Sequence, residues 1–369
     1  LHLKHHVDGN FLTVRGEYAQ VQLNQVFIVG PVVNINQVIN EAWVDGVGIM
    51  RLPSKNNLDG TPRPRETELV ITWKKAMWFD GQRARFEGKV TATQDGGRLA
   101  TELLNVDLDR KVSLREGSKN NPPAKMQKLM CEHGVWVEET ALRNGKLVSH
   151  KRIQGAELFA DCESERNDSQ IEVAGPGTVR IFQPGQKGQM FPGQNLNAGQ
   201  PANPPQGAND PRSEEFKLTQ VAYQGKMQAN NRTGIADFWD DVVVYQVPTE
   251  DRDLKITDLA PPPQSMRLSC KHLRVLGQKN ANGVMQQAMH ADGKVLISGQ
   301  DFAGSADSVD YDEAKDQVIM RGTTGNKAVL VKQPVKGGRR DVHEAEMIMY
   351  WPKTGQIVTD GASKFEGSR

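Results

Sequence analysis

The chain is 369 residues long, 37% apolar and 25% charged, and its 46 basic and 45 acidic side chains give a formal net charge of +1. A sizeable core is available, and the near-neutral balance excludes a global electrostatic drive toward nucleic acid or an anionic membrane surface. Aromatics make up only 6% of the residues, while 35 glycines and 19 prolines favour turn-rich β architecture over helices.

The chain opens Leu-His-Leu-Lys-His-His, without an initiator Met or a charged-then-apolar leader. This opening reads as mid-domain sequence and predicts a fragment of a longer protein. No run approaches the ~20 apolar residues of a membrane helix. Residues 1–53 alternate in short stretches and end in a Gly-x-Gly segment at residues 42–53. That segment returns at residues 173–184 and more loosely at residues 320–331. Gly46, Gly175 and Gly322 are thereby placed at equivalent bends, where a strand turns a corner.

The stretch 71–93 has the clearest pattern. Ala84, Phe86, Gly88, Val90 and Ala92 share one parity, and Arg85, Glu87, Lys89 and Thr91 take the other. A period of two marks a strand with one apolar and one wetted face. About 150 residues on, Tyr223 and Met227 answer Trp73 and Met77, and Ala236, Phe238, Val242 and Val244 repeat the apolar parity. Asp237, Trp239 and Asp241 take the outer one. Further landmarks extend the repeat: Cys131 is laid with Cys270, and Ala160-Asp161 with Ala306-Asp307. Asn167-Asp168 and residues 312–316 are read as matching turns, and residues 360–367 echo residues 80–88.

The predicted organisation is the end of a first β unit at 1–53, a second unit at 66–184, a Gln/Gly/Pro/Asn-rich disordered loop at 185–215, a third unit at 216–334 and the start of a further pass at 342–369. The loop is poor in aliphatic residues and has too little surface to bury to offset its ordering entropy. Shorter loops of the same kind are read at 54–65, 116–124, 249–264 and 335–341. Helical periodicity is scarcely visible.

Catalytic and metal constellations are weak. Cys131, Cys162 and Cys270 are odd in number with no C-x-x-C, which predicts buried thiols over a disulfide framework or a zinc site. His2, His5 and His6 read as an exposed strand or frayed end, and His343-Glu344-Ala345-Glu346 precedes a strand and lacks the helical two-His pattern. Gly175-Pro176-Gly177 has no following Lys-Ser/Thr and is read as a sheet bend. Asp240 and Asp241, as neighbours on one strand, are expected to face opposite sides and so not to address one bond together. The basic run from Lys332 to Arg340 reads first as a hairpin loop.

What remains is the apolar face: Ile71, Trp73, Met77, Phe79, Ala84, Phe86 and Val90, with Tyr223, Met227, Phe238, Val242 and Val244. In a closed sandwich this face is core; in an open, folded-over sheet it is a trough whose dry lining suits acyl chains. The residues alone leave both readings open.

The strand pairs resemble the OstA/LptA-like family of lipopolysaccharide-transport proteins. The resemblance rests on Ala84-Arg-Phe-Glu-Gly-Lys-Val90, on Ala306-Asp-Ser-Val-Asp-Tyr-Asp312 leading to Val318-Ile-Met-Arg-Gly322, and on the turn at 350–355. It is best over residues 281–367 and weaker over 70–180. Ala236-Asp-Phe-Trp-Asp-Asp-Val242 departs from it, with Asp240 where the first copy has Gly88. The resemblance implies an all-β fold of repeated, folded-over antiparallel sheets (a β-taco or β-jelly-roll, solenoid-like) lying in the periplasm or at the outer membrane. It implies a non-enzymatic protein without cofactor or metal that binds lipopolysaccharide or another amphipathic lipid. The expected lining is Trp73, Met77, Phe86, Val90, Tyr223, Met227, Phe238, Val242 and Val244. Partners would be other β-taco envelope proteins stacking by edge strands, and no nucleic acid. The alternatives are an envelope scaffold whose apolar face is a closed core and, more remotely, a polysaccharide-acting enzyme on a β-solenoid.

Overall fold

A computed structural model describes residues 11–23, 26–57, 62–114, 124–143, 145–163, 168–185, 215–230, 232–256, 265–279, 285–323, 325–333, 340–361 and 364–366. Among them no helix occurs: the chain is all-β, and every registered strand pair cited below is antiparallel. The first strands are β1 (Phe11–Leu23), β2 (Val26–Asn36), β3 (Glu41–Asp45), β4 (Gly48–Asn56), β5 (Pro62–Trp73), β6 (Ala76–Phe79), β7 (Arg83–Gln94) and β8 (Gly97–Leu108). There follow β9 (Met126–Arg143), β10 (Lys146–Gly155), β11 (Glu157–Glu163), β12 (Asp168–Ala174), β13 (Gly177–Gly185), β14 (Glu215–Tyr223), β15 (Lys226–Asn230) and β16 (Ile235–Pro248). The remainder are β17 (Met266–Lys279), β18 (Met285–Ser298), β19 (Phe302–Asp312), β20 (Gln317–Arg321), β21 (Ala328–Lys332), β22 (Asp341–Ala345), β23 (Met347–Trp351), β24 (Gln356–Asp360) and β25 (Lys364–Glu366).

Two compact units divide the chain. One comprises Leu1–Glu139, Ile153–Ala174 and Asn230–Arg232; the other comprises Thr140–Arg152, Gly175–Ala229 and Thr233–Arg369.

In the first unit β1 pairs with β2, and the two ends of β2 continue onto separate short strands, residues 33–36 onto β3 and 27–29 onto β4. β3 and β4 pair with β6 and β5, which converge again on the single long β7. The same ladder continues through β8, β9, β11 and β12. Where the strands split, the sheet is creased. Gly46 N–H donates to Lys75 O at 2.8 Å, Lys74 N–H to Gly88 O at 2.7 Å, Gly134 N–H to Ala156 O at 2.8 Å and Ala156 N–H to Ala174 O at 2.9 Å. Each bend is thus bonded to the bend of a neighbouring strand.

On β7 the crease is a bulge. The register against β8 slips by one residue between Glu87 and Val90, and Gly88 and Lys89 take left-handed φ of 81° and 47°. A bulge absorbs one residue and re-aims the strand. Phe86 before it and Val90 after it are accordingly both buried.

The interior follows from the register. Val14, Val33, Val44, Met77, Phe86, Leu104, Cys131, Leu158 and Val173 form one unbroken cross-strand row on one side of the crease. Beyond the crease, Val21, Ile28, Met50, Ile71, Ala92 and Leu99 form a second row. All are buried. With no helix among the described residues to cover either wing, the two apolar faces bury each other. Trp73, on β5, meets Phe86 at 5.4 Å between ring centroids.

The second unit repeats the plan. β13, β14, β16, β17, β18 and β19 pair in that order, and β19 then splits onto β20 and β21, which pair with β23 and β22 and onward with β24 and β25. Gly175 N–H donates to Gly225 O at 2.6 Å and Gly322 N–H to Glu346 O at 2.9 Å, as Gly46 does to Lys75. The three glycines are therefore equivalent bends, as the Gly-x-Gly spacing predicts. Asp240 and Asp241 occupy the bulge, with left-handed φ of 64° and 49°. This explains the departure from Gly88: Asp is among the few residues that tolerate this backbone region. It also overturns the expectation of simple strand alternation at this pair.

Three landmarks shift. Cys131 lies two strands beyond β7, whereas Cys270 lies one strand beyond β16 and opposes Val242; the register equivalent of Cys131 is Ala291. Ala160-Asp161 and Ala306-Asp307 are not equivalent either: Leu158 opposes Val173 as Val309 opposes Met320, so the register equivalent of Ala160 is Tyr311, five residues beyond Ala306. At the end of the chain Thr359, not Phe365, takes the place of Phe86: it opposes Ile348 as Phe86 opposes Met77. Short motifs slide by half a hairpin when alternation is their main content.

The loop readings are partly met. Gln183, Pro184 and Gly185 are still strand and register with Lys217, Phe216 and Glu215, while the interior of the 185–215 loop lies outside the described residues. So do residues 116–123, 335–339 and Asn167, and His2, His5 and His6. Strands reach into the 54–65 segment from both sides, to Asn56 and from Pro62. The turn read at 312–316 is present, with Lys315 N–H on Asp312 Oδ1 at 3.2 Å.

The described half of the 249–264 loop is pinned over the outer face of the second unit. Thr249 N–H donates to Phe216 O at 2.9 Å, Arg180 Nη2 to Leu254 O at 2.7 Å, and Arg152 Nη2 meets Asp253 Oδ1 at 3.1 Å. Beside it Phe182 stacks on Phe216 at 4.8 Å, and Leu218 and Val247 are buried although they face outward. This is a satellite core under a loop.

Candidate functional site

The nine residues nominated as an apolar lining fall into two equivalent sets. In the first unit, Trp73 ends β5 at the crease, Met77 and Phe86 face each other across β6 and β7, and Val90 follows the bulge. In the second, Tyr223 ends β14, Met227 and Phe238 lie on β15 and β16, and Val242 and Val244 follow the bulge. None is more than 2% exposed. Of the other stripe residues, Ile71 is buried, while Phe79 and Ala84 oppose each other and stay half-buried.

The two aromatic slots are built alike. Gly48 opposes Trp73, and Gly177 opposes Tyr223. In each case the glycine leaves the room that the ring fills: a β-carbon at either position would overlap the facing ring. Each ring then tilts against a phenylalanine, Trp73 on Phe86 at 50° and Tyr223 on Phe238 at 5.8 Å and 55°. The third copy of the slot uses a different solution, Ala328 opposite Ala345.

The slots differ in their polar ends. Trp73 Nε1 donates to Gly46 O at 3.0 Å, so the buried indole is satisfied. The Tyr223 hydroxyl has no hydrogen-bond partner among the described residues, and burial pushes its phenol well above its ordinary range. Tyr223→Phe is therefore expected to raise the stability of the protein by about 1 kcal/mol, since an unsatisfied buried hydroxyl is costly. Urea unfolding of the two proteins side by side measures it, and a loss of stability would reveal a partner for the hydroxyl.

The described interior also holds titratable side chains. Its cysteines are buried thiols, and burial alone pushes Cys131 up to about 12, far from thiolate chemistry at neutral pH. His343 lies in the inner row of the second unit, opposite Leu330, and burial lowers its imidazole. Among the described residues no three His, Cys, Asp or Glu side chains are grouped as metal ligands.

The outer face of the second unit carries a feature the sequence reading missed: a line of alternating acids and bases across β16 to β20. Arg274 Nε donates to Asp237 Oδ1 at 2.8 Å, and His272 Nε2 meets the same oxygen at 3.0 Å. His272 Nδ1 meets Asp292 Oδ2 at 3.0 Å, and His290 Nε2 approaches that oxygen at 3.5 Å. His290 Nδ1 then meets Asp310 Oδ1 at 2.7 Å, and Asp310 Oδ2 accepts from Arg321. The members occupy outward strand positions, but only the register of five strands shows that they touch.

The fold and its interior define a class: an antiparallel β protein of repeated, creased sheets with an apolar inner face. In comparisons with protein-family models and with curated proteins, nothing matches this chain.

Proposed function

We propose that this chain is a non-enzymatic envelope protein that binds or conducts lipopolysaccharide or a similar amphipathic lipid along the apolar interior of its creased sheets. The observation that supports this reading is the unbroken row from Val14 through Met77 and Phe86 to Val173, nine strands wide and without a polar interruption. Such a row excludes water along its length, which is what a lipid tail requires and what a compact core can reach with shorter runs. The resemblance to the OstA/LptA-like family adds the lipid class, the periplasmic or outer-membrane setting and edge-strand stacking with other β-taco proteins. In this reading Trp73, Met77, Phe86, Val90, Tyr223, Met227, Phe238, Val242 and Val244 meet acyl chains when the two wings part.

The test is photo-crosslinking from benzoylphenylalanine at positions 86 and 238 in the presence of lipopolysaccharide. An adduct at either position is expected. A folded protein that yields none from both positions ends the proposal.

A second reading is favoured by one observation: the same nine residues are almost fully covered by protein. In that reading the apolar face is a permanent core and the protein is an envelope scaffold. A fluorescent fatty acid separates the two, because a permanent core gives no saturable binding.

A further inference from the structure

The acid–base line on the outer face of the second unit has a built-in asymmetry. Asp237 is bonded by Arg274 and Asp310 by Arg321, both always charged. Asp292, between them on β18, meets only histidines in the line: His272 Nδ1 on one side and His290 Nε2 on the other. His272 has a carboxylate oxygen 3.0 Å from each ring nitrogen. A neutral imidazole donates from one nitrogen alone, whereas the imidazolium donates from both. The arrangement therefore fits the charged ring, and loss of its proton leaves a lone pair facing a carboxylate.

We propose that this line is a pH-sensitive clamp on β16 to β20, closed while His272 and His290 are protonated and released as they lose their protons. Among the described residues the charged groups around the two rings are these, together with Asp312 and Lys315, which share a cleft with His290 and pair with each other at 2.8 Å. β16 contributes Asp237, with Trp239 stacked on His272 at 5.3 Å and Lys226 of β15 over Trp239. β17 contributes Arg274, β18 Asp292, β19 Asp310 and β20 Arg321. With both histidines charged the line has four cations against three anions; with both neutral it has two against three, and Asp292 is the carboxylate left uncompensated.

The acid side does not blur this transition. Burial raises the Asp310 carboxyl, but its bonds to His290 and Arg321 outweigh burial and hold it below the ordinary carboxylate range. Its contribution is therefore fully present at neutral pH and is lost only as pH falls through that depressed value. Histidine is the side chain that changes charge between about pH 5 and 8, so the clamp opens on the alkaline side. The inner faces of the clamped strands carry Leu273, Ala291 and Val309 of the apolar row. The clamp thus sets how readily that row is uncovered.

The experiment is amide hydrogen exchange on the whole chain at pH 6.0 and 8.5, corrected for intrinsic exchange. Protection of β17 and β18 is expected to fall about fivefold at the higher pH, the size appropriate to two partly exposed ion pairs. Asp292→Asn should reduce that dependence, leaving only the His272–Asp237 and His290–Asp310 contacts to carry it, and His272→Gln should be loosened at both pH values. Nitrogen NMR of the histidine rings gives an independent reading that needs no variant: both nitrogens of His272 should be protonated at pH 6.0. A neutral His272 ring at pH 6.0, equal protection at the two pH values, or full pH dependence retained in Asp292→Asn would each overturn the clamp.

Discussion

Gly48→Ala is expected to cost the first unit about 3 kcal/mol, at the upper end of the usual range for forcing extra volume into a packed core. The added β-carbon would overlap the Trp73 ring and also crowd Val29 O, a backbone atom. The ring is held in place, because it packs against Phe86 and its nitrogen is bonded to Gly46 O. Trp73→Ala alone is expected to cost ~3–5 kcal/mol through the cavity it leaves. The two changes together recreate the Ala328–Ala345 pair that the third slot already uses. The double variant should therefore lose less than the sum of the singles, by about 1–3 kcal/mol, the usual coupling of residues in contact. Equilibrium unfolding of the four proteins closes the cycle. Strict additivity would mean that the glycine is not there to make room for the ring.

Phe86→Ala is expected to cost a similar ~3–5 kcal/mol, whereas Phe86→Leu, which keeps most of the volume, should cost under about 1.5 kcal/mol. Phe86 is 1% exposed and stands in the middle of the nine-strand row, opposite Met77 on one side and Leu104 on the other. Trp73, 5.4 Å away, makes its own fluorescence the natural reporter of unfolding. The cavity should be dry and apolar, so a small apolar solute should raise the melting temperature of Phe86→Ala and leave the parent unchanged. A parent protein that responds as strongly as the variant would show that the interior opens without any mutation.

Much of the architecture is legible in the residues. Period-two alternation at 84–92 and 236–244 marks the strands, and Gly46, Gly175 and Gly322 mark the bends, because each signal is local. What the residues do not disclose is register. Cys131 and Cys270 share a chemical type but stand on non-equivalent strands, and only the pairing through Leu104 and Val242 shows it. The acid–base line was hidden for the same reason. His272, His290 and their aspartates sit at unremarkable outward positions, and five strands must be laid side by side before alternate charges meet. Asp240 misleads in another way: it breaks the alternation rule, yet it satisfies the left-handed backbone that Gly88 satisfies by having no side chain.

The crease, finally, is a fold line in the mechanical sense. A sheet bent at scattered points resists any change of angle, because each strand must bend somewhere different. Here the bends of neighbouring strands are bonded to one another, Gly46 to Lys75, Lys74 to Gly88, Gly134 to Ala156 and on to Ala174. Small rotations shared along this line can change the angle between the wings while the ladders on each wing keep their hydrogen bonds. Stiffness within a wing and compliance between wings are thus separate properties of the same sheet, set by different residues and open to separate adjustment.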